Sequence, residues 1–185
     1  MEIIKEEYKN HQIIISYNEN PFNPRENDNL GTILCVHKKY SLGDKVSDFN
    51  HNNFDSWEEI EKWLKKEKKA KYILPVYMYD HSAIALSTNP FSCPWDSGRV
   101  GFIYLTKEKF NQEYGNKTLS KKMKNIIKKV FELELKEYQA YINVEMYEYA
   151  IPSLGECCGS YMSPDQALTD AKIIIDNQKK VVNEK

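Results

Sequence analysis

The sequence predicts an α+β fold, read as one domain over residues 1–185, with a mostly antiparallel sheet and three to four helices. Three observations carry this. Strand-like runs outnumber helical ones and are rich in β-branched and aromatic residues. Helical periodicities are interspersed without a regular β-α-β repeat. No internal repeat or low-complexity linker divides the chain.

The elements follow in order. Residues 2–17 read as two short strands joined near Lys9-Asn10, with Ile13, Ile14 and Ile15 in the second. The Asn- and Pro-rich run 18–28 is a loop. A strand is expected within 30–40 and a loop over 41–55. Ser56 and Glu59 then form a capping box, followed by Trp57, Ile60, Trp63 and Leu64 at helical spacing. Strands are expected at 72–79, 83–88 and 99–106, with a proline-bounded loop over 89–98. A short helix stops at Gly115. A long helix over 118–138 is expected to bury Leu119, Met123, Ile126, Ile127, Val130 and Leu133. Residues 142–151 alternate like a strand, and 155–161 read as a short strand or turn. Ser163, Pro164 and Gln166 open a last helix near 164–178.

Composition narrows function. With 41% apolar residues the chain can build a core, and a formal net charge of -1 supplies no global field toward nucleic acid or membrane. Any such contact needs a local patch. The charged start lacks an apolar signal core, and the apolar runs are too short to span a bilayer. Cys35, Cys93, Cys157 and Cys158 lack the spacing of a disulfide framework or paired zinc knuckles. The expectation is a cytoplasmic protein with reduced thiols, no membrane partner and no cofactor.

The chemistry-bearing residues concentrate between Tyr79 and Tyr104. Asp80, His81 and Ser82 are adjacent, so strand geometry points them to different faces and denies a local triad. Their structural reading is a tight turn. Cys93 lies in the proline-bounded loop twelve residues after His81, and a hairpin that joined them would pair a nucleophile with a base. Against this, Phe91, Cys93 and Trp95 read together as a plug for the core. His37, Asp44, Asp80, His81 and Asp96 are divalent-metal ligand types near strand ends, without diagnostic spacing. Two lysine tracts, represented by Lys65 and Lys66 and by Lys128 and Lys129, would contact phosphate, including DNA directly, if they adjoined. The second tract opens a helix, against its macrodipole.

Four blocks carry a resemblance: DNLGT (28–32), HKKYSLGD (37–44), PVYMYDHS (75–82) and FSCPWDSGRVGFIY (91–104). In this order they resemble a family of small proteins of bacteriophages, prophages and plasmids, over roughly residues 21–150. Where that family tends to carry Trp and Phe near its end, this chain reads GECCGSY. The family has no established enzymatic activity and supplies no catalytic set. The resemblance implies an accessory role against host defence, as in type II anti-CRISPR proteins that bind a Cas9–guide complex. It also makes Asp80–Gly98 and its neighbour Tyr79 the expected specific region, with Trp95 and Asp96 as binding residues. The alternative is a small hydrolase or nuclease using a metal or the Cys93–His81 pair.

Overall fold

The computed structural model describes residues 2–182. Among them are eight strands and four α-helices, an α+β architecture of antiparallel pairing as the sequence predicts, with the strands in two sheets rather than one. In chain order these are β1 (Glu2–Tyr8), β2 (His11–Tyr17), β3 (Thr32–Cys35), α1 (Trp57–Lys66), β4 (Ala70–His81), β5 (Ala83–Ser87), β6 (Ser97–Thr106), α2 (Lys107–Tyr114), α3 (Lys121–Ile142), β7 (Tyr147–Ile151), β8 (Glu156–Tyr161) and α4 (Pro164–Val182). The chain divides into two compact units. One holds residues up to Asn23 and those from Ala140 onward; the other is Pro24–Gln139. The first boundary falls in the Asn- and Pro-rich loop. The second falls inside α3, where no linker composition could mark it.

The first unit has strand order β1-β2-β7-β8. β1 and β2 form a hairpin whose turn residues Lys9 and Asn10 both take positive φ, 48° and 66°. That is the pairing of signs a two-residue hairpin turn needs, and Asn supplies it readily. Ile13 and Ile15 from β2 and Tyr149 and Ile151 from β7 share a core with Ala167, Ala171 and Ile175 of α4. The small alanines at i and i+4 let the helix backbone come close to the sheet.

The second unit has strand order β3-β6-β4-β5. Its sheet carries a helix on each face. Ile60 and Leu64 of α1 cluster with Leu34, Phe102 and Tyr104 on one face. The intervening residue, Ile103, points to the other face, where Phe131 of α3 meets it beside Gly31. Tyr72, stacked on the Phe131 ring with centroids 6.0 Å apart, confirms that side. The α3 residues buried are Ile127, Phe131, Glu134, Leu135, Tyr138 and Ala140. This corrects the expected face: Ile126 and Leu133 are exposed, and a carboxylate sits at the centre of the buried stripe.

Glu134 belongs to a buried polar cluster. Its carboxylate accepts the backbone N–H groups of Leu30 at 2.7 Å and Gly31 at 3.1 Å, and an Arg25 guanidinium N–H at 3.3 Å. Arg25 also donates in bidentate fashion to Asp44, at 2.9 and 2.7 Å, and to the Gly31 carbonyl at 2.6 Å. Asp44 in turn accepts the Ile33 N–H at 2.7 Å. The Arg25 side chain is only 5% exposed and that of Glu134 10%. Gly43, at φ +82°, donates its N–H to the Tyr138 hydroxyl at 2.9 Å. A side chain at Gly43 would be strained by that φ and would press on the Ile33 carbonyl.

Glu134→Ala leaves buried donors and a guanidinium without this acceptor, so it should lower stability by about 3–5 kcal/mol in urea unfolding. The pH dependence has a definite sign. Burial pushes the Glu134 carboxyl above its ordinary range, against the pull of Arg25 and the Gly31 and Leu30 N–H groups. A raised folded-state value means this carboxyl favours folding most below its unfolded value, and that contribution is lost as pH rises through the folded value. The stability of the wild type relative to Glu134→Gln should therefore be greatest in acid and narrow as pH rises.

Candidate binding surface at the end of the second sheet

β4 and β6 run together to one end of the sheet, where Tyr79 pairs with Ser97 and the Asp80 N–H reaches the Asp96 carbonyl at 2.8 Å. β4 turns into β5 at Ser82, which takes φ 63° and donates its hydroxyl to the His81 carbonyl. This is the tight turn expected from the sequence. Because β5 and β6 flank β4 on opposite sides, the connection 88–96 must cross the end of β4. Four contacts fix that crossing. The Phe91 ring lies 5.8 Å from the Tyr79 ring, which stacks in turn on His81 at 6.0 Å. Ser97 donates to the Cys93 carbonyl, and the Asn89 N–H to the Ser87 hydroxyl. At the loop's start, buried Thr88 donates to Glu132.

Trp95 projects from this anchored loop with 91% of its surface exposed. It is therefore not the core plug that Phe91, Cys93 and Trp95 were expected to form together. Phe91 alone takes up the packing against Tyr79. An exposed tryptophan on a fixed loop leaves a large apolar area in water, the kind of group that anchors interfaces.

Trp95 shares a cleft of about 430 Å³ with His37, Met78, Asp80, Asp96, Ser97, Gly98, Arg99 and Val100. Asp80 accepts the Tyr40 hydroxyl at 2.9 Å and the Lys39 ammonium at 3.3 Å. These donors, Tyr40 first, hold its carboxyl below the usual aspartate range. The Asp96 carboxylate lies 3.5 Å from His81 Nδ1 and 3.7 Å from Cys93 Sγ. So His81 and Cys93 do approach one group, but that group is an acid between them. Activation of a thiol needs the imidazole against the sulfur and the acid behind it.

Arg99 escaped the sequence reading. β6 carries an extra residue at Val100, since Val76 pairs with Gly101 but Tyr77 pairs with Arg99. This bulge turns Arg99 to the same face as Phe102. Its guanidinium lies 4.1 Å from the Phe102 ring centre and 5.1 Å from that of Trp57. Its Nε is buried without a hydrogen-bond partner. No carboxylate among the described residues pairs with it, so aromatic faces are its main electrostatic support.

Of the remaining expected site residues, His37 lines this cleft, while Asp44 and the lysines lie elsewhere. Asp44 is committed to Arg25, far in role from the other candidate ligands. His37 Nδ1 accepts the backbone N–H groups of Lys39 and Tyr40. Among the described residues, no three His, Cys, Asp or Glu side chains group to hold a metal ion. The lysine tracts lie on opposite faces of the second sheet, Lys65 and Lys66 on α1 and Lys128 and Lys129 on α3. Lys65 pairs with Glu61 and Lys128 with Glu132 within their own helices. The first turn of α3 does open with lysines and no acid, as expected.

Two measurements check this surface. Tyr40→Phe removes the strongest support of ionised Asp80, so the Asp80 carboxyl should titrate higher by NMR than in the wild type. Trp95→Ala should leave the unfolding free energy within about 0.5 kcal/mol of wild type, because an exposed ring contributes little to the core.

No protein-family model, curated protein or solved structure matches this chain.

Proposed function

We propose that this protein is a mobile-element accessory protein that binds a host-defence nuclease and blocks its engagement of nucleic acid, without itself catalysing a reaction. The target implied by the resemblance is a Cas9–guide complex. The single observation that carries the binding reading is Trp95, 91% exposed on a loop held by Phe91, Ser97 and Thr88. Preorganisation of such a group lowers the ordering cost of association. Arg99, half-buried against aromatic rings without a carboxylate partner among the described residues, and the half-buried Tyr79 add the residue types that dominate interface energetics. The four sequence blocks and their resemblance supply the mobile-element setting. Among the described residues no helix is long and apolar enough to cross a membrane, which agrees with a partner met away from the bilayer core.

The alternative, a small hydrolase or nuclease, has one observation in its favour: Asp96 gathers His81 and Cys93 at 3.5 and 3.7 Å. It requires a rearrangement that brings the imidazole to the sulfur. Loss of turnover in both His81→Ala and Cys93→Ala, with unchanged unfolding midpoints, would establish it.

Co-elution with guide-loaded Cas9 on a sizing column, with DNA cleavage assayed on the same fractions, tests the principal reading. Co-elution with lost cleavage is expected, and Trp95→Ala should separate the peaks and restore cleavage. Separate peaks with full cleavage for the wild type would remove Cas9 as the target. The lysines make a second test. Since the tracts face opposite sides of the sheet, one partner surface can engage only one of them. Charge reversal at Lys65 and Lys66, or at Lys128 and Lys129, should weaken binding in at most one of the two pairs.

A further inference from the structure

We propose that a second cavity of the Pro24–Gln139 unit, about 740 Å³ and lined by Cys35, Val36, His37, Lys38, Phe49, Asn50 and His51, binds a small organic phosphate. The volume lies in the range of small-molecule sites. Its lower wall is half-buried and apolar. Val36 and Phe49 pack against the core cluster of Leu34 and Leu64. The Phe49 ring is held between Phe54 and Trp63, with centroids 5.5 and 5.3 Å away.

The polar lining offers donors and positive charge. His37 Nδ1 is occupied as an acceptor by the N–H groups of Lys39 and Tyr40, which places the ring proton on Nε2. Asn50 uses its side-chain oxygen to accept the Asn52 N–H, so its amide NH₂ is left to donate. Lys38 and His51 are exposed, and neither side chain has an ion pair or hydrogen bond among the described residues. Burial pushes the Cys35 thiol up to about 11, so it remains an uncharged S–H there. Among the described residues no carboxylate lines this cavity, whereas Asp80 and Asp96 line the cleft beside Trp95.

A donor-rich cavity without an acid calls for an anion. A compact ammonium binds phosphate as a point charge, and the separate single donors beside it can meet the several oxygens of that group. The apolar wall asks for an organic body on that phosphate. This inference does not rest on the Trp95 surface, and its failure would leave the binding reading intact.

The test is an amide NMR titration of the full chain with adenosine monophosphate, and separately with inorganic phosphate. Shifts confined to residues 35–38 and 49–51 are expected with the nucleotide. Lys38→Gln combined with His51→Gln should weaken that binding by about tenfold or more while the unfolding midpoint stays unchanged. Absence of shifts, shifts that persist in the double variant, or shifts confined to the lysines of α1 and α3 would overturn the site. Inorganic phosphate binding as tightly as the nucleotide would overturn the organic part of the proposal. Binding of a DNA oligonucleotide without binding of the mononucleotide would overturn the small-molecule assignment.

Discussion

The buried ion cluster of Arg25, Asp44 and Glu134 is the constraint on which the second unit depends. Taking three charges out of water costs several kcal/mol each, and Coulomb attraction offsets that only when the remaining donors and acceptors are also satisfied. Here they are. Arg25 serves both acids and the Gly31 carbonyl, Glu134 takes two backbone N–H groups, and Asp44 takes one. Burial alone would weaken the Arg25 charge, but Asp44 and then Glu134 more than restore it, so the guanidinium ends above its ordinary value. Such a cluster tolerates one geometry. It therefore fixes where the loop before β3 and the loop after it meet α3.

That constraint explains two of the four sequence blocks. In DNLGT, Leu30 and Gly31 supply the N–H groups for Glu134, Asn29 bonds the Pro24 carbonyl at 2.8 Å, and Asp28 pairs with Lys109. Gly31 has no room for a side chain, because Ile103 and Phe131 close over it. In SLGD, Gly43 meets Tyr138 and Asp44 meets Arg25. These parts of the two blocks are architecture. The other two, around Asp80 and around Trp95, build the sheet end, and there the same sequence specificity leaves a tryptophan in water.

Local signals were legible where local physics decides. The hairpin at Lys9-Asn10, the Ser56 cap of α1 and the Gly115 stop of α2 all stand where the sequence puts them. The Ser163 cap of α4 is formed as well, with its hydroxyl accepting the Gln166 N–H. Even so, Glu59 closes its capping box on the Asp55 N–H, one residue earlier than the motif implies. Strand ends were less legible: the run expected from residue 142 starts as β7 only at Tyr147, because α3 continues to Ile142. Three features needed the tertiary structure. The buried face of α3 was misread because its centre is Glu134, a residue that hydropathy places in water. The lysine tracts could not be oriented without knowing that Phe102 and Ile103 face different helices. Arg99 could not be placed because the bulge at Val100 shifts its side by one residue.

The two groups of blocks are connected by contacts that can be followed one at a time. Asp44 and Gly43 fix the end of the segment that begins at His37. Within that segment Tyr40 stacks on His37 and donates to Asp80. The Asp80 backbone then holds Asp96, the residue after Trp95. Every link is the chain itself, a hydrogen bond, an ion pair or a ring contact between named groups, so the position of Trp95 is set by more than its own loop. Contiguity of this kind does not by itself transmit a signal, which would require an element with two arrangements. What it gives is stiffness. On the proposed binding reading, a tryptophan held through such a chain would reach a partner with little orientational freedom left to lose, which lowers the cost of association.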